Sequence, residues 1–499
     1  MEGNRTLKRR AFLGAPFLAL AAKTEPAIAG GYVNDSFRLG HKLRDRVNFP
    51  APKQTRKVPV VIVGGGIAGL SAAWRLDKKG FHDFVLLEME SEVGGNSRWG
   101  QNEISRYPWA AHYLPVPSKE SKLVRELCEE LGLLRAGKWD ERALCFSPQE
   151  RLFIHSRWQE GVEPEFAATP RDRGQYKRFQ QMMKEFEGSG QFTIPMEVGA
   201  KPSALDAESM DAWMTRNQFD SAYLRWYIQY ATRDDFGALL KDTSAWAAIH
   251  YFASRQPEDK GPLTWPEGNG WITEQLRRKL SRYLKTDALV YAVRGNRPVR
   301  VLTMDTEYIA EKVIFAAPTH IANYVVEGAP KSSIVYSPWF TANLTLKRMP
   351  KEDGAEPAWD NVIYDSPGLG YVNNAHMTVQ SRVEQAVWTY YHALAYESPE
   401  QARRNLISLE WKDCKEAILR DLEKAHPDIR QCVSRIDVMR FGHAMGRPVP
   451  GFLGSADRQK WAKLSGNVLY ANSDLSGFSI FEEAQYRGVM AADTALRKI

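Results

Sequence analysis

Val58-Pro59-Val60-Val61-Ile62-Val63-Gly64-Gly65-Gly66-Ile67-Ala68-Gly69 is the stretch that decides the fold of this chain. A short β-rich run enters a glycine turn. A helical pattern follows, with Leu70, Ala73, Trp74 and Leu76 at helical spacing and Gly80 as its stop. A second apolar run, Phe84-Val85-Leu86-Leu87, then ends in Glu88. Strand, glycine turn, helix, strand and acid in this order predict a βαβ unit that holds a dinucleotide. Gly64 permits the tight turn, Gly66 lets backbone approach a pyrophosphate, and Gly69 lets the helix lie close to its strand. Ala68 falls in the first helical turn, whose free N–H groups and positive dipole end face the phosphates. Glu88, 19 residues past Gly69, is placed to accept from ribose hydroxyls.

The next residues narrow the cofactor. Glu88 is followed by Met89-Glu90-Ser91-Glu92-Val93 and then by Gly94-Gly95-Asn96-Ser97. An acid, a short spacer and a glycine pair resemble the extended signature of the flavin-containing amine oxidase and phytoene desaturase superfamily, which includes protoporphyrinogen oxidase. The resemblance implies FAD, with the backbone of Gly94 and Gly95 close to its pyrophosphate. The superfamily most often has Arg after the glycine pair. Here Asn96 takes that place and Arg98 follows two residues on.

Four later stretches extend the resemblance over most of residues 58–499. Tyr107-Pro108-Trp109-Ala110-Ala111-His112-Tyr113 occupies the place where relatives pass a turn along the flavin ring, which implies His112 and Tyr113 near the isoalloxazine. His112 reads either as a proton-transfer group or as a packed structural histidine. Trp265 to Gly270, followed by a helix-like run from Trp271 to Leu284 and a strand from Asp287 to Val293, resembles the re-entry into the cofactor domain, and implies a backbone contact of Val290 with the adenine region. Tyr308 to Pro318 reads as one buried strand that ends in Ala316-Ala317-Pro318. Gly466 to Asp474, with a helix to the C-terminus after it, resembles the closing motif, and implies that Asp474 contacts the ribityl–phosphate region. Glu482 and Glu483 read as acids that favour the helix start.

The implied fold is α/β: a Rossmann-like FAD-binding domain, a three-layer ββα arrangement, interleaved with a mixed α+β substrate-binding domain. The cofactor domain is expected in residues 58–117, 261–331 and 441–499. The substrate domain is expected in residues 118–260, which are helix-rich in pattern (Ser121 to Leu134, Arg173 to Phe186), and in residues 332–440. The latter mix strand-like runs (Phe340 to Leu346, Ala386 to Leu394) with one long helical pattern, Pro399 to Lys424. Residues 30–57 read as an N-terminal extension.

The 499 residues suit two or three domains, and 43% hydrophobic with 25% charged residues is ordinary globular composition. The net charge is +7, but residues 1–29 carry five basic and two acidic side chains, so the rest is too mildly basic to imply nucleic acid. Cys128, Cys145, Cys414 and Cys432 form no C-x-x-C and stand near no histidine pair, so no metal site is expected.

The N-terminus reads as an export leader. Arg9-Arg10 with Phe12-Leu13, the apolar run Ala11 to Ala22 and the small-residue site Ala27-Ile28-Ala29 resemble a twin-arginine signal, with Lys8 where Ser or Thr is usual. This implies passage through the twin-arginine translocation machinery to the periplasm, a route for folded proteins that carry their cofactor. No stretch is long and apolar enough to predict a stable membrane span.

For chemistry, the resemblance implies hydride transfer from a small-molecule substrate to flavin N5, with oxygen or a quinone as electron acceptor. Amine oxidases of the superfamily place a Lys near N5; the matching position falls at Ala342 or Asn343, and Lys347 lies too far along. Phe478, Phe481 and Tyr470 are the candidates for an aromatic cage, and Phe478 joins His112 and Tyr113 as a candidate catalytic residue. Arg233-Asp234-Asp235-Phe236-Gly237 lies among Trp226, Tyr227, Tyr230, Trp246, Tyr251 and Phe252. An acid pair in an aromatic pocket suits a cationic amine or polyamine, whereas an exposed turn with a helix cap is the plainer reading. Phe441 to Pro448 is glycine-punctuated and reads as a cleft-lining segment or a plain loop. Three functions stay open: an amine or polyamine oxidase or dehydrogenase, a desaturase or protoporphyrinogen-oxidase-like enzyme on a larger apolar substrate, and a non-catalytic flavin-binding partner subunit.

Overall fold

The structure, a computed structural model, describes residues 27–33, 36–196, 202, 204–255, 261–379, 382–463 and 465–499. Of the expected export leader only Ala27-Ile28-Ala29 is among them; the rest lies outside the described residues.

Alternation along short apolar strands builds the cofactor domain. Val60–Val63 and Phe84–Leu87 are buried throughout, as a parallel sheet covered on both faces requires. They lie in a five-stranded parallel sheet with the order Leu284–Lys285, Phe84–Leu87, Val60–Val63, Lys312–Phe315, Val468–Tyr470. Val60, Ile62, Leu86 and Ile314 face the helices Ile67–Lys78, Gly270–Leu280 and Phe481–Leu496. Val61, Val63, Val85 and Phe315 face the other way, onto a four-stranded sheet of Val290–Arg294, Val299–Thr303, Thr306–Ala310 and Gln54–Lys57. Period-two side chains thus produce three layers, ββα. The first and last helices touch at their backbones: a Cβ on Gly488 would lie 2.1 Å from the carbonyl oxygen of Ala68.

The second domain is an eight-stranded sheet with the order Ala29–Val33, Val433–Arg447, Val335–Leu346, Ala386–Ala393, Tyr371–Asn373, Asp360–Ile363, Glu150–Ile154, Arg157–Glu160. On Val335–Leu346 the even positions Phe340, Ala342, Leu344 and Leu346 pack with residues of the helix Trp411–Leu422. Trp339 belongs to the opposite face, together with Tyr391, Trp359 and Tyr113. A lobe of helices, Pro170–Gly188, Ala222–Phe236 and Ala245–Ala253, encloses its own aromatic core.

Several expectations are corrected. Tyr308 to Pro318 is not one strand. Thr306–Ala310 belongs to the four-stranded sheet and Lys312–Phe315 to the parallel one; the chain changes layer at Glu311, whose N–H and that of Lys312 both donate to the carbonyl of Pro59. The long pattern from Pro399 is two helices, Pro399–Ser408 and Trp411–Leu422, because Leu409 and Glu410 adopt extended backbone between them. The boundary between residues 440 and 441 falls inside the strand Val433–Arg447. Segment 118–260 also supplies two strands of the large sheet, Glu150–Ile154 and Arg157–Glu160. Residues 30–57 are integral to both domains: Ala29–Val33 pairs in parallel with Arg435 to Met439, and Gln54–Lys57 with Thr306 to Ile309. All four cysteines are free and buried. No helix among the described residues is long and apolar enough to cross a membrane.

Since the Gly488 contact leaves no room for a side chain, Gly488→Val is expected to force the C-terminal helix off the dinucleotide helix. The expected cost is about 1–3 kcal/mol, read as a lowered midpoint in chemical denaturation, whereas the same change at Gly40, where a Cβ meets nothing, leaves the midpoint in place.

Candidate active site

The sheet–helix junction sets the first half of the site. Gly64 has φ +103°, and a Cβ there would lie 2.9 Å from the backbone nitrogen of Ala317, so the turn out of Val60–Val63 admits only glycine. Gly66 has ordinary φ, yet its absent side chain faces the glycine pair: the nearest atom to a Cβ on Gly66 is the Cα of Gly95, at 3.9 Å. Two bare backbones therefore face each other across the floor of a cleft at the N-terminus of Ile67–Lys78. Gly94 N–H donates to the carbonyl of Gly65 at 2.8 Å and ties the two turns together. The half-buried carboxylate of Glu88 accepts from Gly65 N–H at 2.6 Å and from Glu90 N–H at 2.9 Å. Each oxygen keeps a lone pair for a ribose hydroxyl.

The cleft has a cavity volume of about 380 Å³. Gly64, Gly66, Ala68, Glu88, Gly94, Gly95, Asn96, Val290 and Asp474 all line it. Gly69 does not; it packs under the turn, where a Cβ would lie 1.9 Å from the carbonyl oxygen of Gly64. The Asn96 amide donates to the carbonyl of Ala444 at 2.8 Å, so it staples the large sheet to the glycine turn while still lining the cleft. Asp474 accepts through Oδ2 from Thr319 N–H (2.9 Å), Thr319 Oγ1 (3.1 Å) and Tyr336. Its Oδ1 carries none of these bonds. Gly40 and Leu43, from the helix Phe37–Arg44 of the N-terminal extension, also line the cleft; no motif in the sequence pointed to them. The facing bare backbones, the ribose-ready carboxylate and the helix N-terminus fit the FAD that the superfamily resemblance implies.

At its inner end the cleft meets a second cavity of about 150 Å³, and Asn96, Ala111, Phe441, Ala444, Ser479 and Phe481 line both. His112 and Tyr113 lie on this inner cavity. The His112 ring packs against Tyr391 (4.7 Å between centroids), Tyr113 (4.9 Å) and Trp359 (5.4 Å). Its Nδ1 is 3.3 Å from the carbonyl of Ala110, a partner that can only accept, so Nδ1 carries the proton and Nε2 the lone pair. Burial pushes its pKa down to about 4, which keeps the ring neutral near pH 7. The strand position expected to match the superfamily's Lys is corrected by register. Ala342 faces the helices, and Asn343 is spent on Pro108 and Thr389. The positions that reach the cavity are Trp339 and Thr341.

Phe478 is also corrected. It stacks on His250 at 4.5 Å and packs with Phe236 and Trp246 in the core of the helical lobe, because Gly477 (φ +85°) turns the chain inward just before it. Tyr470 packs on Trp461 and Phe315. Of the three cage candidates Phe481 reaches the cavity.

Beyond the inner cavity opens a third space of about 410 Å³, sharing Tyr113, Pro115, Asp234, Arg255 and Glu482 with it. Four carboxylates line it: Glu150, Asp234, Asp360 and Glu482. Asp234 and Asp235 stand in the last turn of Ala222–Phe236, which Gly237 ends in left-handed backbone. Acids there oppose the helix dipole, at about 0.3–1 kcal/mol each. Asp235 is paired with Arg255 at 3.2 Å, whereas Asp234 has no hydrogen-bond partner among the described residues. Burial, with the neighbouring Asp235, pushes Asp234 up to about 7, and burial pushes Glu482 up to about 7. Asp360 is raised well above the carboxylate range by burial and by Glu150 and Asp234. Tyr230, Tyr251 and Trp359 complete the walls. The Asp234–Asp235 pair was legible in the sequence; Glu150, Arg255 and Asp360 were not, since each sits alone in an ordinary stretch. No group of three or more His, Cys, Asp or Glu residues among the described ones is arranged to hold a metal ion.

Residues 62–131 match the family model of the NAD(P)-binding Rossmann-like domain. A Baeyer-Villiger monooxygenase of Penicillium patulum is 32% identical over 133 residues, 26% of this chain. That match spans only 20% of the relative's own length. Among solved structures, a putrescine oxidase bound to putrescine superposes with a TM-score of 0.68 over 89% of this chain and 100% of its own, at 16% identity. A cyclohexylamine oxidase from Brevibacterium oxydans IH-35A does so with a TM-score of 0.67 over 89% and 99%, at 14% identity. The chain thus carries a Rossmann-like dinucleotide domain within the two-domain fold that these structures share.

Gly66 has φ −72°, which any residue adopts, so Gly66→Val is expected to leave the fold intact while filling the cleft floor. The expected result is loss of flavin absorbance from the purified variant and failure to take up added FAD, with unchanged thermal unfolding of the FAD-free chain.

Proposed function

We propose that this chain is an FAD-dependent oxidoreductase that oxidises a small cationic amine, with a diamine or polyamine as the best fit. The observation that carries this reading is the chamber of four carboxylates and aromatic rings that continues inward from the dinucleotide cleft. Carboxylates that crowd one poorly solvated chamber and repel one another are costly without a counter-charge. A ligand with two or more positive charges offsets that cost, and the faces of Tyr113, Tyr230, Tyr251 and Trp359 add cation–π attraction. Arg255 lines the same chamber and offsets part of that charge; an apolar desaturase substrate would add no positive charge to it.

FAD, when bound, supplies the hydride acceptor. The protein's part is placement. The acids hold the distal charge, the narrow inner cavity directs the reacting end toward the cofactor cleft, and His112 Nε2 accepts a hydrogen bond from the amine nitrogen. The packed rings around His112 exclude water from the C–H bond that breaks. Residues 1–29 support delivery to the periplasm by the twin-arginine route after the cofactor is inserted.

Anaerobic mixing of the flavin-loaded protein with amines, diamines, polyamines, polyenes and tetrapyrroles tests the reading. Bleaching of the flavin by diamines or polyamines is expected. Bleaching only by polyenes or tetrapyrroles would overturn the substrate class, and a flavin that nothing reduces would mark a non-catalytic subunit. Asp234→Asn is expected to raise KM for a diamine, since a charged hydrogen bond is worth about 1.5–3 kcal/mol, or roughly 10- to 100-fold.

The pH dependence has a defined sign. Asp234 and Glu482 are raised to about 7 by the protein around them, so both become neutral as pH falls through 7. KM for a dicationic amine is expected to rise on that limb, and Asp234→Asn to flatten it. The same shift means that the ligand-free folded chain keeps protons the unfolded chain has released. Stability without ligand is therefore expected to fall as pH rises from the ordinary carboxylate range to about 7, as read by denaturation midpoints across pH.

A further inference from the structure

His443 has no place in the chemistry above, yet it lies on the cofactor cleft. It stands in the last part of the strand Val433–Arg447, between Gly442 and Ala444. Its ring stacks face to face on His320, with centroids 4.1 Å apart and planes 18° from parallel, and meets Tyr336 edge-on at 5.5 Å. These contacts hold the ring in one plane while its edge reaches the open cleft. The residue is exposed, and neither ring nitrogen has a hydrogen-bond partner among the described residues, so both stay available to a ligand in the cleft. The neighbouring Phe441 and Ala444 line both the cleft and the inner cavity, so the segment runs along the junction where a flavin ring would meet its substrate. The four cysteines, the other strong nucleophiles, line none of the three spaces.

We propose that His443 is the site of covalent flavin attachment, through a bond from an imidazole nitrogen to the 8α-methyl carbon of FAD. The proposal rests on the FAD reading above. The surrounding protein, with Arg403, pushes the His443 pKa down to about 4, which leaves the neutral imidazole that a nucleophile must be. In the step, one C–H bond of the 8α-methyl group and the imidazole N–H bond break and the N–C bond forms. The two hydrogens, with their electrons, end on the flavin ring, which is thereby reduced. Dioxygen then takes them, giving hydrogen peroxide and the oxidised, tethered flavin.

The test uses the full chain, incubated aerobically with FAD and freed of excess. After acid precipitation, flavin fluorescence is expected to stay with the polypeptide, and the tryptic peptide that starts at Phe441 is expected to gain the mass of FAD less two hydrogens. His443→Ala and His443→Gln are expected to bind FAD, by absorbance before acid, and to release all of it on precipitation. Complete release of flavin by the unaltered chain would overturn the proposal and leave the FAD reading standing. Flavin on a different peptide, or retained by both variants, would also overturn it. A chain that shows no flavin absorbance before acid overturns the FAD reading with it.

Discussion

Glu88 accepts two backbone N–H groups, from Gly65 and from Glu90, and Gly94 donates to Gly65 across the same turn. This knot holds two glycine turns face to face at the end of one parallel strand, with the N-terminus of a helix behind them. Replace any of the bare backbones with a side chain and the cleft floor closes. The inner cavity opens from the inner end of that cleft, and the acid-walled chamber opens from the inner cavity. The geometry of every candidate residue, from Val290 at one end to Asp360 at the other, refers back to that floor.

The large sheet answers to the same floor from the other side. Asn96 reaches from the glycine turn to the carbonyl of Ala444, Thr341 donates to the carbonyl of Trp109, and Tyr391 donates to that of Ala110. Two side chains thus clamp the second domain onto the turn that precedes His112, and Asn96 ties it to the glycine turn. The clamp sets Trp339, Thr341 and Tyr391 on the wall of the inner cavity, which adjoins both the cofactor cleft and the chamber. The N-terminal extension reinforces it, with one strand in each domain and the helix Phe37–Arg44 on the cleft between them.

The electrostatics of the interior run against stability. Two acids at a helix C-terminus, and four carboxylates around one chamber with pKa values driven upward, are arrangements a protein selected for stability alone would avoid. Arg255 pairs with Asp235, and Asp234 has no hydrogen-bond partner among the described residues. Strain of this kind is expected where binding takes place.

The cofactor domain was legible in the sequence because its signals are local. A strand, a glycine turn, a helix and an acid lie within about thirty residues, and backbone sterics alone dictate where glycine must stand. The Asp234–Asp235 pair was visible for the same reason. What the sequence could not determine is what depends on register and on contacts across hundreds of residues. Whether Ala342 or Thr341 faces the cavity is a matter of one step along a strand, and one step reverses every side chain. Phe478 was drawn into the core by the turn at Gly477, although its neighbour Phe481 reached the cavity. Glu150, Asp234, Asp360 and Glu482 come from four separate segments, and His443 meets His320 across more than a hundred residues. Asp234, Glu482 and the glycine-punctuated stretch around His443 each drew notice singly; only the tertiary fold, by gathering these residues onto shared cavities, turns them into a charged chamber and a cleft-facing imidazole.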